Sequence, residues 1–307
     1  MILFHPERLL DGDAPGPWSA PLALAYDRRD LLLYAVGIGC EDLRHLYEGH
    51  AQFTAFPSFA IRWGSLGLQL DEQALPPSTG PLTIDAERSL QQLAPLPLPP
   101  AHGQARVQVR SRLLAVHPRG KNGGGAFVEF ETEVADDQGR ICQRLVTGLF
   151  KRGVQVLGDI APFEGRGLSR SEKLPVPKAE RAPELVITRR IPANQAQIYR
   201  LSGDDNPLHI DPEAARSGGF DAPILHGLCT YGHCAQWLVA ALCGGDAGRL
   251  QRLRLRFASP VLPGDELTLR GWQDGPGRLL FELAVGERVV VSNALFEYAP
   301  LAVPGAA

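Results

Sequence analysis

A chain of 307 residues is long enough for two domains of about 150 residues each. Its 44% hydrophobic and 21% charged content is that of a globular protein, and a formal net charge of −3 leaves no overall basic field for nucleic acid. No run approaches the ~20 apolar residues of a membrane helix, and five scattered cysteines (Cys40, Cys142, Cys229, Cys234, Cys243) form no disulfide framework.

The start of the chain, MILFHPERLLDGDAPG, has neither a charged lead nor an apolar h-region, so a reducing, cytoplasmic location is the expectation. Residues 25 to 38 (AYDRRDLLLYAVGI) carry a helix pattern. Asp27 or Asp30 can cap it, and Leu31, Leu32, Tyr34, Ala35 and Ile38 form its apolar face. Residues 83 to 93 (TIDAERSLQQL) read as a second helix, with Thr83 as cap and Pro95 as stop. Alternating runs at 105 to 116, 125 to 136 and 141 to 153 then predict antiparallel strands. Turn signals at Lys121-Asn122-Gly123 and Asp137-Gln138-Gly139 separate them. The stretch from about 154 to 182 holds Gly, Pro and charge without period, which predicts a surface connection.

The second half repeats the order of helix and strands. Residues 185 to 191 read as a strand and 194 to 203 as a short helix; Asp211-Pro212-Glu213-Ala214 looks like a helix start. Residues 226 to 243 (HGLCTYGHCAQWLVAALC) predict a helix that is apolar nearly all round and therefore buried, ended by Gly244-Gly245. Strands follow at 252 to 261, 265 to 274, 278 to 286 and 288 to 299. One buried helix wrapped by a curled antiparallel sheet is the natural packing of these parts. The halves share this order without sharing a motif, as after a duplication that lost its chemistry in the first copy.

The informative stretch is Tyr199 to Gly232, YRLSGDDNPLHIDPEAARSGGFDAPILHGLCTYG. Pro207 fixes its own φ and keeps Asn206 extended, a turn that can bring Asp204 and His209 to one point. A carboxylate and an imidazole sharing one water can add it across an activated double bond. The substrate carbonyl gathers negative charge, and the N–H of Gly227 at the start of the long helix can receive it. A lone DxNP would read as a turn, but the pattern here runs on through HIDP and GGFDAPILHGLCTYG, more than a cap needs. Cys229 and Cys234 near His226 and His233 match no common zinc spacing, so no metal site is predicted there. His226, His117 and His233 read as structural, Asp205 as solvent-facing, and Asn122 to Gly125 as a hairpin turn. Arg252, Arg254 and Arg256 alternate along one strand and read as an exposed face, with the phosphates of a ligand as the alternative partner.

The pattern YRLSGD-x-NPLHIDP followed by GFD-x-PILHGLCTYG resembles the MaoC-like type 2 enoyl-CoA hydratase signature. The segments RRDLLLYAVGIG (28 to 39), LYEGH (46 to 50), APLPLP (94 to 99) and KNGGGAFV (121 to 128) are similar to the first half of the same enzymes. RLRFASPVLPGD (254 to 265) and VVSNALFEY (290 to 298) resemble their closing strands. The resemblance implies an α+β double hot dog, two antiparallel sheets each wrapping a long central helix. It places a non-catalytic N-terminal hot dog at 1–155, a linker at 156–182 and a catalytic hot dog at 183–300. It also implies a (3R)-specific trans-2-enoyl-CoA hydratase. The catalytic groups would be Asp204, His209 and the Gly227 amide, with Asn206, Lys121 and Phe257 on the substrate. The partner is an acyl-CoA thioester, with no nucleic acid, membrane, metal or other cofactor, and a homodimer is compatible with it. Two alternatives stay open: a dehydratase acting on a carrier-protein or specialised CoA thioester, and a non-catalytic acyl-CoA-binding module. One departure is expected to alter the acyl pocket: Asp85-Ala86 stands where relatives have His-Gly at the start of the first hot-dog helix.

Overall fold

Asp27 starts the first helix with a reciprocal cap, its side chain accepting from Asp30 N while Asp30 accepts from Asp27 N. The structure, a computed structural model, describes residues 2–4, 16–68, 83–119, 125–152, 154–156, 173–178 and 181–301. The first half contains β1 (Ile2–Phe4), β2 (Leu22–Tyr26), α1 (Arg28–Gly37), α2 (Leu43–Leu46) and a 3-10 turn at Pro57–Trp63. These are followed by β3 (Thr83–Gln92), β4 (Ala105–Arg119), β5 (Gly125–Asp136), β6 (Ile141–Arg152) and β7 (Val154–Val156). The second half holds β8 (Leu185–Arg190), α3 (Gln195–Tyr199), α4 (Pro212–Ser217) and α5 (Gly227–Leu242), then β9 (Leu250–Phe257), β10 (Glu266–Gln273), β11 (Arg278–Val285) and β12 (Arg288–Tyr298).

Ten strands form one antiparallel sheet in the order β2-β4-β5-β6-β3-β9-β12-β11-β10-β8. Each half supplies five of them, and the halves meet at the β3–β9 ladder. The fold is the expected double hot dog, with two features of its own. The two sheets are continuous, and among the described residues the first half holds no counterpart of α5. Its centre is filled by the turn at Pro57–Trp63, where Phe59 packs at 5.1 Å from Tyr26 and 5.6 Å from Tyr34, ring to ring.

The second half is built around α5. Its Tyr231, Cys234, Ala235 and Leu238 are fully buried in a core that also takes Leu253 and Leu255 from β9, Tyr34 from α1 and Ile38 from its C-cap. Each such leucine stabilises the fold by roughly 1.5–3 kcal/mol. Gly232 is where α1 reaches α5: a Cβ there would lie 2.1 Å from Ile38 Cγ2. No described helix is long and apolar enough to cross a membrane.

Two expectations are corrected here. Residues 83–92 form β3 instead of a helix, so Asp85-Ala86 begins no hot-dog helix. Ala, Glu, Arg, Leu and Gln favour helix locally, but this segment fills the slot between β6 and β9 and pairs with both. The arginine face of β9 is exposed only in part, since the Arg256 side chain is 43% open but Arg254 is covered. Arg254 is 5% exposed and pairs with Glu87 of β3 at 3.1 Å, and Arg256 pairs with the other oxygen of Glu87. Lys121, the hairpin turn at 122–124 and most of the connection after residue 156 lie outside the described residues.

Candidate active site

After α3, a 3-10 turn at Arg200–Ser202 ends at Gly203, whose φ of 108° favours glycine and turns the chain into Asp204. Asn206 Oδ1 then accepts from Leu208 N at 3.1 Å and caps a second 3-10 turn, Pro207–His209. Asn206 thus holds the loop through this cap. Pro207 sits in the first turn of this short helix, where its missing N–H costs nothing. The turn carries the buried His209 ring back toward the half-buried Asp204, while Asp205 stays exposed.

His209 Nδ1 lies 2.9 Å from the carbonyl oxygen of Ile224. A carbonyl only accepts, so Nδ1 carries the hydrogen and Nε2 of the neutral ring holds the lone pair. Burial lowers the His209 pKa and keeps the ring neutral, against the upward pull of the Ile224 carbonyl and Asp204. The His226 ring stacks on His209 with centroids 3.7 Å apart and planes 29° apart. Its Nε2 lies 3.3 Å from the backbone oxygen of Asp204, and the Tyr199 ring packs against it at 4.9 Å. Burial, then His209, push the His226 pKa down to about 4. His226 is therefore a neutral spacer that fixes the His209 ring and ties the Asp204 loop to the start of α5. The sequence reading gave it a structural role without this contact; its one signal was its place before Gly227.

Asp204, His209 and His226 each offer a donor atom within 4.8 Å of the others. Two imidazoles and a carboxylate are donors a divalent cation can use, whereas Cys229 and Cys234 join no such cluster among the described residues. Both of those thiols are buried, and burial pushes them up, Cys234 to about 12. Gly227 is the first residue of α5, and the first intrahelical bond of that turn runs from Thr230 N to His226 O. The N–H groups ahead of Thr230 are those a helix start leaves for a ligand. Phe257 at the end of β9 closes the other side, for a Cβ on Gly227 would meet its ring at 3.2 Å.

The first half reaches this site as well. Arg62 lies over the Phe59 ring at 4.2 Å and donates to the backbone oxygen of Ser202, just before the Asp204 loop. Asp85 of β3 lies close enough to Asp204 for the two carboxylates to act on each other. Sequence reading flagged Asp85 only as a departure and missed Arg62. Elsewhere, His117 pairs with Glu129 at 2.8 Å, and His233 is buried with neither ring nitrogen partnered.

Comparison with known proteins agrees with this layout. Residues 24–153 match the MFE-2 hydratase 2 N-terminal domain and residues 175–294 the MaoC like domain. The chain is 30% identical over 278 residues to a probable enoyl-CoA hydratase 2 of Dictyostelium discoideum, covering 85% of this chain and 86% of that protein. It is 31% identical to the mouse peroxisomal multifunctional enzyme type 2 over 90% of this chain, and spans 37% of that longer protein. The crystal structure of a MaoC-like dehydratase from Phytophthora capsici superposes with a TM-score of 0.77 at 34% identity, over 96% of this chain and 99% of that one. With both halves matched in tandem and the relatives aligned across them, the chain belongs to the MaoC-like family of type 2 enoyl-CoA hydratases.

Proposed function

We propose that this protein is a hydro-lyase, a (3R)-specific trans-2-enoyl-CoA hydratase that adds water reversibly and syn to give a (3R)-3-hydroxyacyl-CoA. The observation that carries the reading is a carboxylate and a neutral imidazole within 4.8 Å of each other beside the open N-terminus of α5. His209, its Nδ1–H engaged by Ile224, presents Nε2 as a base to a water shared with Asp204. One proton passes from that water to the Asp204/His209 pair, and its oxygen bonds to C3. One proton returns from the pair to C2, so the pair ends as it began. Both groups approach from one side of the double bond, which makes the addition syn. The negative charge gathered on the thioester oxygen in between falls to the Gly227 N–H and the helix dipole behind it.

Phe257 would line the acyl side of the cleft, and the half up to about residue 155 would shape the acyl site without supplying the acid–base pair. The half from about 183 to 300 would carry the chemistry. Five free thiols, four of them buried, support a reducing compartment. The same groups run the reverse dehydration, so both directions belong in the assay.

Asp204→Asn removes the carboxylate with little change of shape, and hydration of crotonyl-CoA should fall to background while the melting temperature stays put. Near-normal hydration by that variant would sink the assignment. Product from the wild type with the (3S) configuration would refute the stereochemistry, and a substrate-length series with CoA and carrier-protein thioesters separates the hydratase from a carrier-specific dehydratase.

A further inference from the structure

The acid–base loop and α5 come from the second half, but one wall of the cleft comes from the first. β3 pairs with β9 through Glu87 and Arg256, so Ala86 and Asp85, just beyond that pair, come beside Phe257. The Phe257 ring in turn packs over Gly227. The register of β3 shifts between Asp85 and Glu87, a bulge that lets Asp85 and Arg88 meet. Arg88 Nε donates to both carboxylate oxygens of Asp85, at 2.9 and 3.0 Å, and Arg88 Nη1 donates to Thr147 Oγ1 at 2.5 Å.

The two partners differ in exposure. The Arg88 side chain is 11% exposed and locked, whereas the Asp85 side chain is 30% exposed. Protein nonetheless surrounds Asp85 closely enough that burial raises its carboxyl pKa, against Arg88 and with a smaller push from Asp204. The partly open Asp85 carboxylate is therefore reachable from solvent at the strand register next to Phe257. Its charge is offset by Arg88, its position is fixed, and Arg88 uses only part of the acceptor capacity of its two oxygens.

We propose that Asp85, held by Arg88, is a specificity-determining residue that accepts a hydrogen bond from a hydroxyl on the acyl chain close to the reacting double bond. This rests on the hydratase reading above. A plain alkyl chain at this wall would take water from a carboxylate and return no donor. An acyl chain ending in its own carboxylate would face both Asp85 and Asp204. A hydroxyl one or two carbons beyond the double bond is neutral, short and able to donate. The enzyme therefore selects hydroxylated enoyl thioesters over plain ones of equal length.

The test measures kcat/KM for hydration of two enoyl-CoA esters of equal length, one plain and one hydroxylated beyond the double bond. Wild type should favour the hydroxylated ester by about tenfold or more, the size of one hydrogen bond to a charged acceptor. Asp85→Ala should erase that preference, chiefly by losing rate on the hydroxylated ester. Since Asp85→Ala leaves Arg88 unpaired, Asp85→Ala combined with Arg88→Leu serves as a second variant that removes both charges together. It too should lose the preference while still hydrating the plain ester. Equal use of both esters by wild type, or an equal loss on both in the variants, overturns the role of Asp85 alone. No hydration of either ester by wild type overturns the hydratase reading and this inference with it.

Discussion

Proline at position 227 separates the backbone donor from everything else at the start of α5. Gly227 is the first helical residue, the position at which proline is best tolerated. The preceding His226 already holds φ −56° and ψ 134°, the extended geometry a following proline demands. Gly227→Pro therefore deletes one N–H with little strain on the helix. Its steric load is not zero, because a Cβ at 227 would lie 3.2, 3.3 and 3.5 Å from three atoms of the half-buried Phe257 ring. Gly227→Ala carries the same Cβ and keeps the N–H, so it is the control. Alanine should cost up to about tenfold in kcat/KM as the Phe257 ring gives way. Proline should cost a further ~10²–10³-fold in kcat, the loss of one oxyanion donor worth ~3–4 kcal/mol. The assay is the loss of ultraviolet absorbance of the conjugated enoyl thioester, with circular dichroism to confirm that both variants fold. If proline and alanine fall together within about threefold, the N–H of Gly227 receives no developing charge and the oxyanion argument fails.

Acid should destabilise the fold through its buried histidines. Burial pushes His226 and His233 each down to about 4, from an ordinary 6.5. As pH falls below ~6.5 the unfolded chain takes up protons that the folded chain refuses, so their contribution is full above that point and lost toward pH ~4. Each difference amounts to roughly 3 kcal/mol at the acid end. The melting temperature should drop between about pH 7 and about pH 5, and His233→Leu, which replaces a ring with no hydrogen-bond partner, should flatten that drop. A variant that tracks the wild type across this range would contradict the assignment. The lowered His209 pKa likewise places the acid limb of kcat/KM below the usual imidazole range, and a limb above that range would show His209 charged in the free enzyme. At the seam, the Glu87 side chain is 8% exposed and that of Arg254 6%. Glu87→Gln should cost about 3 kcal/mol and lower the melting temperature by roughly 6–12 °C, because it leaves a buried guanidinium short of its counter-charge. Glu87→Met with Arg254→Met should recover most of that loss; a Glu87→Gln protein melting with the wild type would show that the pair bears no weight.

The parts of this molecule that were legible in the sequence are those whose cause is local. Asp204, Asn206, Pro207 and His209 lie within six positions, and one side-chain cap with one proline turn brings them together. α5, β4 to β6 and β8 to β12 announce themselves by period, whereas β1, β2 and β7 do not. β3 does not, because Asp85 and Arg88 make a pair that a helix also makes, and its composition favours helix. What makes it a strand is β6 and β9, whose partners Thr147 and Arg254 lie 59 and 167 residues away from Arg88 and Glu87. That single misreading has two consequences. With β3 taken for a helix, nothing covers the arginines of β9, so they read as exposed; and Asp85 is assigned to a helix start instead of to the wall beside Phe257. The turn at Pro57–Trp63, too short to show a period, hides in the same way the fact that it fills the centre of the first half among the described residues, and with it the Arg62 contact to Ser202. Asp204 and His209 thus lie within one short loop, while Asp85 and its neighbours sit at a seam between distant strands that a linear reading does not bring together.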